Sequence, residues 1–206
     1  MIGQFDSPFV RRVGIALELY GMAYEHMPWS TFGDWERFAQ HNPLRRVPAL
    51  VLDSGEALID SAAILDHLDE VHGRDRALIA ASGEARRAAL RRIATATGTA
   101  DKAVAFFYAR LFSPSLDPGF ITRCEGQIRA GLAALEAECG ARSGEWWNGD
   151  GPGHDDIAVA CVARFLSEAY AHLVTLGNYP ALVAHCAAAE ELAVFKRVSQ
   201  PFVPPS

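Results

Sequence analysis

The chain has 206 residues, half of them hydrophobic, and a formal net charge of −6. That length suits one large or two small domains with an ample core, and the hydrophobic share excludes a disordered chain. The acidic balance argues against nucleic acid or an anionic membrane surface as a partner.

In chain order, Met1 to Phe5 is a short β-capable run. Asp6 interrupts it, so the charged start and long apolar core of a signal peptide are not there. Ser7-Pro8 then opens a helix that closes at Gly21, with serine as N-cap, proline at the first helical position and glycine past the end. Val10, Val13, Leu17 and Tyr20 share one face. Arg11 and Arg12 lie on others and are expected to be salt-bridged or exposed. Tyr24 to Pro28 reads as a strand and Asp34 to Gln40 as a short helix ending before Asn42-Pro43.

Residues 42–68 carry the densest signal. Ala49 to Leu52 is an apolar run, Asp53 to Glu56 is turn material and Ala57 to Ile59 is a second strand, so the pair forms a hairpin. Asp60-Ser61 starts a helix with Ser61 as the expected N-cap and Ile64, Leu65, Leu68 and Val71 as its apolar stripe. The N-terminus of that helix offers a small anion site above Ser61.

The texture changes at residues 73–76, and strands disappear from Gly83 onward. Glu84 to Leu111 reads as one long helix weakened near Gly98, and Phe120 to Cys139 as a second with Ile121, Cys124, Ile128, Leu132 and Leu135 on one stripe. A third runs from Asp155 to Leu173, and two shorter ones lie around 180–188 and 190–198. The tail from Gln200 to Ser206, with three prolines, is irregular. The apolar run Ile157 to Ala163 is stopped by Arg164, far short of the ~20 residues of a membrane span. Cys124, Cys139, Cys161 and Cys186 show no Cys-x-x-Cys or zinc spacing, so packed, reduced thiols in the cytoplasm and no metal site are expected.

Asn42-Pro43, Val47-Pro48-Ala49-Leu50, the hairpin and Asp60-Ser61 together closely resemble the glutathione-binding half of the cytosolic glutathione transferase superfamily. Ser7-Pro8-Phe9-Val10-Arg11-Arg12 resembles the active-site turn of its serine-type or cysteine-type bacterial members. The resemblance implies a thioredoxin-like α/β N-terminal domain at residues 1–75, lacking Cys-x-x-Cys, and an all-α C-terminal domain at residues 83–206. It also implies a cytoplasmic homodimer that uses glutathione as co-substrate with no further cofactor. Pro48 would be cis and Val47 would pair with the cysteinyl backbone of glutathione. Asp60 would hold the γ-glutamyl amine, although many members carry the longer Glu there, and Ser61 its carboxylate. Arg46 would lie against the tripeptide, while Arg45 and His41 are expected to be solvated surface. Ser7 would touch the sulfur, since Ser-Pro-Phe in place of Cys-Pro-Phe favours conjugation over redox chemistry.

An electrophile pocket would face Ser7 between the domains, with Phe107, Tyr108 and Leu111 as candidate walls. Gly153 to Ile157 resembles the family's capping-box entry to a central helix, with Asp156 in place and Gly153 replacing the hydroxyl residue. Asp156 is therefore expected to serve folding. The activity implied is attack of glutathione thiolate on a small hydrophobic electrophile. Alternatives are a glutathione-dependent isomerase or dehalogenase, and a non-catalytic partner-binding relative.

Overall fold

The computed structural model describes residues 1–204. Helix α1 spans Pro8–Leu19 and begins as its sequence predicts, with Ser7 as N-cap and Pro8 in the first turn. The Ser7 hydroxyl accepts from the Val10 N–H at 3.5 Å, and proline's missing N–H is no loss in a first turn.

Helix α1 is not the surface helix that its two arginines suggest. Val10, Val13, Leu17 and Tyr20 pack with Ile64, Leu65 and Leu68, while Ile15 on the opposite side packs with Ile157, Cys161 and Phe195. Arg11 and Arg12 are each 2% exposed. Arg11 is salt-bridged as expected, to Glu190 at 2.6 Å, and also donates to the carbonyls of Phe195 and Val198. Arg12 is not exposed and, among the described residues, has no ion-pair partner.

Strands β1 (Ala49–Val51) and β2 (Ala57–Ile59) form the expected antiparallel hairpin, with Leu50 opposite Leu58. The strands expected over Met1 to Phe5 and Tyr24 to Pro28 shrink to single-residue bridges, in which Ile2 pairs parallel with Met27 and antiparallel with Ala49. Gly3 turns the backbone at φ +128°, and Pro28 has no N–H to give to a ladder. The bridges still set four segments side by side in the order Met27, Ile2, Ala49, Ile59. Side chains alternate across this layer. Leu50 and Leu58 join the α1 cluster, whereas Ile2 and Ala49 cover Phe38 of α2 (Trp35–Ala39).

Helix α3 (Ser61–His72) corrects the expected cap. Asp60, not Ser61, is the N-cap: its backbone sits at φ +68° and its Oδ1 accepts from the Ala62 N–H at 2.8 Å. Aspartate tolerates the left-handed region and can bond two residues ahead, so it takes the cap and leaves serine as the first helical residue.

The rest of the described chain is helical: α4 (Gly83–Phe112), α5 (Pro118–Gly140), α6 (His154–Ala169), α7 (Pro180–Glu191) and α8 (Ala193–Arg197), with a short 3-10 turn at Leu176–Asn178. Helix α4 runs unbroken through Gly98. The α5 stripe Cys124, Ile128, Leu132 and Leu135 is buried against Ala96, Ala100, Ala103 and Phe106 of α4 and against α6. Ile121, at its end, is half-buried. Helix α6 stops at Ala169 rather than Leu173, because Tyr170 leaves the helical conformation and donates its hydroxyl to the Ala103 carbonyl at 2.6 Å. The four cysteines are unbridged, three of them buried.

At the start of α6 the Gly153 N–H donates to Asp156 Oδ2 at 2.9 Å, so the acid does hold the helix end. The structure also explains the missing hydroxyl. A Cβ on Gly153 would sit 3.0 Å from the Leu78 carbonyl and 2.9 Å from Asp155 Oδ1. The space for a cap side chain is taken by the segment between α3 and α4, whose Leu78 carbonyl accepts from the His154 N–H at 2.7 Å. The same junction is fastened from the other side. Asp69 of α3 accepts from the Tyr20 hydroxyl and from His154 Nε2, and the Leu78 N–H donates to the Tyr20 oxygen.

The tail residues 200–204 have no regular structure, and residues 205 and 206 of the expected irregular tail lie outside the described residues. Gln200 Oε1 accepts from the Phe5 N–H and the Phe202 N–H donates to Glu168, so the tail spans both halves of the molecule. No helix among the described residues is long and apolar enough to cross a membrane.

Candidate functional site

A cleft separates the mixed β layer from α4. It has two parts, a cavity of about 1060 Å³ and a smaller one of about 310 Å³. They share Phe9, Leu44, Arg46, Val47 and Asp101 as walls. Ser7 lines the larger part; Pro48, Asp60 and Ser61 line the smaller. Residues separated by half the N-terminal sequence thus meet in one cleft, with Arg46 and Val47 at its waist.

Local chemistry positions each of them. The Val47–Pro48 peptide bond is cis. Buried Asn42 holds the preceding turn, donating from Nδ2 to the Arg46 carbonyl at 2.7 Å and accepting at Oδ1 from the Leu44 N–H at 2.9 Å. Gly3 lets Val47 come close, since a Cβ there would lie 2.6 Å from Val10 and 3.0 Å from Val47. Arg46 crosses the cleft to Asp101 of α4 at 2.6 Å, with both side chains more than half exposed. An exposed pair of this kind is worth ~0–1 kcal/mol, so a ligand can displace it.

The hydroxyl of half-buried Ser7 makes, among the described residues, just the long contact to the Val10 N–H, which leaves its proton available. The wall around it is aromatic. Phe107 meets Phe202 edge-on at 5.5 Å, Phe202 meets Phe165 at 5.7 Å, and Tyr108 stacks with Phe112. Phe32 closes the mouth over Tyr108. Phe107 and Tyr108 line the larger cavity, and Leu111 does not: it is exposed, a full turn beyond Phe107. Burial pushes the Asp6 carboxyl up. Arg45 also lines this part, with its guanidinium over the Trp35 ring at 4.3 Å.

In the smaller part, Arg12 reaches from α1 beneath α3 and donates from Nε and Nη2 to Ser61 Oγ at 3.0 and 2.8 Å. This overturns the expectation of an exposed or salt-bridged arginine, because α1 is enclosed on both sides.

Two family models match the chain: the glutathione S-transferase N-terminal domain over residues 2–76 and the C-terminal domain over residues 118–188. A maleylacetoacetate isomerase of Pseudomonas aeruginosa is 34% identical over 154 residues, 71% of each chain. The chain belongs to the cytosolic glutathione transferase superfamily.

The fold agrees. A glutathione S-transferase from Methylobacterium radiotolerans, solved with glutathione sulfonate, superposes with a TM-score of 0.88 at 26% identity, covering 100% of this chain and 97% of that one. A zeta-class maleyl pyruvate isomerase superposes with a TM-score of 0.77 at 26% identity, covering 96% and 95%. Several other curated relatives match over about a third of their own length. By family this is a glutathione S-transferase-like enzyme with a thioredoxin-like N-terminal domain and an all-helical C-terminal one.

Several residues of this transferase cleft escaped the sequence reading. Asp101, Phe165 and Phe202 carry no local motif, and each reaches the cleft only through the tertiary fold. Arg12 lies within Ser7-Pro8-Phe9-Val10-Arg11-Arg12, and only the tertiary structure buries it.

Proposed function

We propose that the protein binds glutathione along this cleft and activates its thiol for attack on a small, neutral, hydrophobic electrophile. The supporting observation is the continuity of the cleft: one end presents Val47, cis-Pro48, Asp60 and Ser61, and the other presents Ser7 among aromatic rings. The Val47 backbone would pair with the cysteinyl residue, Asp60 would take the γ-glutamyl ammonium, Ser61 its carboxylate, and Arg46 would lie along the tripeptide. A thiol titrates near ~8.5, and one hydrogen bond to a charged group is worth ~1.5–3 kcal/mol, enough to lower it by roughly one to two units. The Ser7 hydroxyl would supply that bond and the N-terminus of α1 would add to it. The thiolate then forms an S–C bond with the electrophilic carbon, and the leaving group departs with its electron pair.

A second reading, glutathione-dependent isomerisation, draws on the isomerase relatives. A maleyl dianion needs free cations at the pocket. Here Arg46 is assigned to the tripeptide and Asp6 adds a carboxyl to the wall, which leaves Arg45, stacked on Trp35, as the one arginine of the larger cavity among the described residues for two carboxylates. Conjugation of a neutral substrate fits better. A homodimer in the cytoplasm is part of this proposal, and sizing with multi-angle scattering tests the assembly. The function is tested by calorimetry with glutathione, then by conjugation of neutral aryl electrophiles beside isomerisation of a maleyl diacid. Binding with aryl conjugation is expected. No binding at millimolar glutathione overturns the enzyme reading, and isomerisation without conjugation favours the second one.

A further inference from the structure

The larger cavity has more room than a single reacting ring requires. Its volume of about 1060 Å³ lies at the top of the ~300–1,000 Å³ range of pockets that take drug-sized molecules. The γ-glutamyl end of glutathione is assigned to the smaller cavity, so the space between Ser7 and the mouth is left for the electrophile. One aromatic ring beside the sulfur would leave much of the wall without partner atoms, and its dispersion contacts would be forfeited.

The mouth of that space is aromatic and uncovered. Phe112, the last residue of α4, is 71% exposed and Phe32, on the loop opposite, is 37% exposed, yet both line the cavity. With Tyr108 they form one set of rings. Tyr108 stacks with Phe112 at 6.2 Å, and Phe32 leans over Tyr108 at 5.5 Å and over Phe112 at 6.2 Å. Spacings of about 4.5–7 Å are those at which aromatic pairs attract, so a further flat ring can join the set. The Tyr108 hydroxyl already shares a hydrogen bond with Thr31 Oγ1 at 3.3 Å, so these residues offer ring faces here rather than a free polar group. The loop is tied within itself as well: the Ser30 N–H donates to Asp34 Oδ2 at 3.0 Å, and the Asp34 N–H to the Ser30 carbonyl at 2.9 Å. Exposed rings that continue an apolar cavity are surface for its ligand to cover, unlike apolar residues scattered singly over a surface.

We propose that the electrophile is an elongated, flat molecule, whose reactive carbon meets the sulfur near Ser7 and whose far end is an apolar ring lying against Phe32 and Phe112. These two residues determine specificity: they touch the distal ring and not the reacting atoms. The inference rests on the glutathione reading given above and gives its electrophile a shape.

The test is calorimetry with glutathione, S-benzylglutathione and S-(biphenyl-4-ylmethyl)glutathione, the two thioethers differing by one ring placed away from the sulfur. Wild type should bind the biphenyl thioether at least roughly tenfold more tightly than the benzyl one, the gain expected for burying most of a further ring. Phe32→Ala and Phe112→Ala should each cut that ratio to about threefold or less, with glutathione and S-benzylglutathione bound as in wild type. Phe112→Tyr keeps the ring and should keep the ratio. Both positions are exposed, so these substitutions leave folding intact. A general loosening of the site would weaken all three ligands together and leave the ratio unchanged, and a ratio that survives both alanine substitutions overturns the proposal. If wild type binds glutathione but binds the two thioethers equally, no ring reaches the mouth, and the proposal falls while glutathione binding stands. If wild type binds none of the three, the glutathione reading itself has failed.

Discussion

Asp60 has two roles in this account, and one substitution separates them. It caps α3 from a left-handed backbone, through Oδ1 and the Ala62 N–H, and it is proposed to pair with the γ-glutamyl ammonium. Asparagine tolerates the same φ and keeps the acceptor, so Asp60→Asn should change unfolding free energy by less than about 0.5 kcal/mol. It loses the charge, and glutathione should bind roughly tenfold more weakly. Unaltered binding would leave Asp60 as a cap and nothing more. Ser7 needs a different test, because Ser7→Ala would remove a cap and a catalyst together, costing ~1 kcal/mol of stability in either case. Ser7→Cys places a thiol at a helix N-terminus, where its pKa falls. That variant should lose conjugating activity and react with oxidised glutathione, forming a mixed disulfide at residue 7 and releasing one glutathione. Intact mass and peptide mapping, with the four native cysteines as background, read the adduct. The proposed role fails if residue 7 carries none and Ser7→Ala conjugates like wild type.

At the scale of elements, the start of α6 concentrates buried charge. Asp156 holds the Gly153 N–H, the Asp156 carbonyl accepts from His185 Nε2, and Arg142 donates to His185 Nδ1. Burial pushes the Asp156 carboxyl up to about 7 and the His185 imidazole down to about 4. The sign of each effect is opposite. A raised acid stabilises the fold at low pH and loses that contribution as pH rises through about 7. A lowered base stabilises it above the ordinary histidine value of 6.5 and loses that contribution as pH falls toward about 4. Between these limits the folded protein carries its proton on Asp156 and the unfolded chain on histidine, so the pair gives no slope. Asp156→Asn keeps the cap and removes one side of the balance. Its stability should then rise with pH, by up to about 1.4 kcal/mol per unit across the acidic range. Denaturant unfolding of both proteins at three pH values between 4.5 and 6.5 checks this; parallel slopes would refute it. The sequence marked Asp156 as a folding residue from its place in a capping pattern. It gave no hint of His185, which reaches the same spot from α7.

For the whole molecule, the decisive feature is the junction at which α1, α3, α6 and the segment around Leu78 converge on Asp69. Asp69→Leu would leave the Tyr20 hydroxyl and His154 Nε2 buried without their acceptor, at a cost of about 2–4 kcal/mol. Chemical denaturation should show the lower midpoint. Calorimetric glutathione titration should show weaker binding, since the cleft is walled by both halves of the molecule. A midpoint equal to wild type would mean that apolar packing alone holds the junction.

What the sequence determined by itself was local. Ser7-Pro8 and Gly21 bound their helix because cap, first-turn proline and left-handed glycine are short-range requirements. The hairpin at 49–59 followed from strand periodicity and turn residues in the same way. The tertiary structure decided everything that depends on what packs against what. Enclosure of α1 on two sides turned two surface-looking arginines into buried ones, one paired with a carboxylate and one converging on a serine. A left-handed backbone moved the α3 cap from Ser61 to Asp60. Phe9 of α1, Phe32, the α4 residues Phe107, Tyr108 and Phe112, Phe165 of α6 and Phe202 of the tail became one wall because the domains close on one another, a long-range event that no local window of sequence encodes.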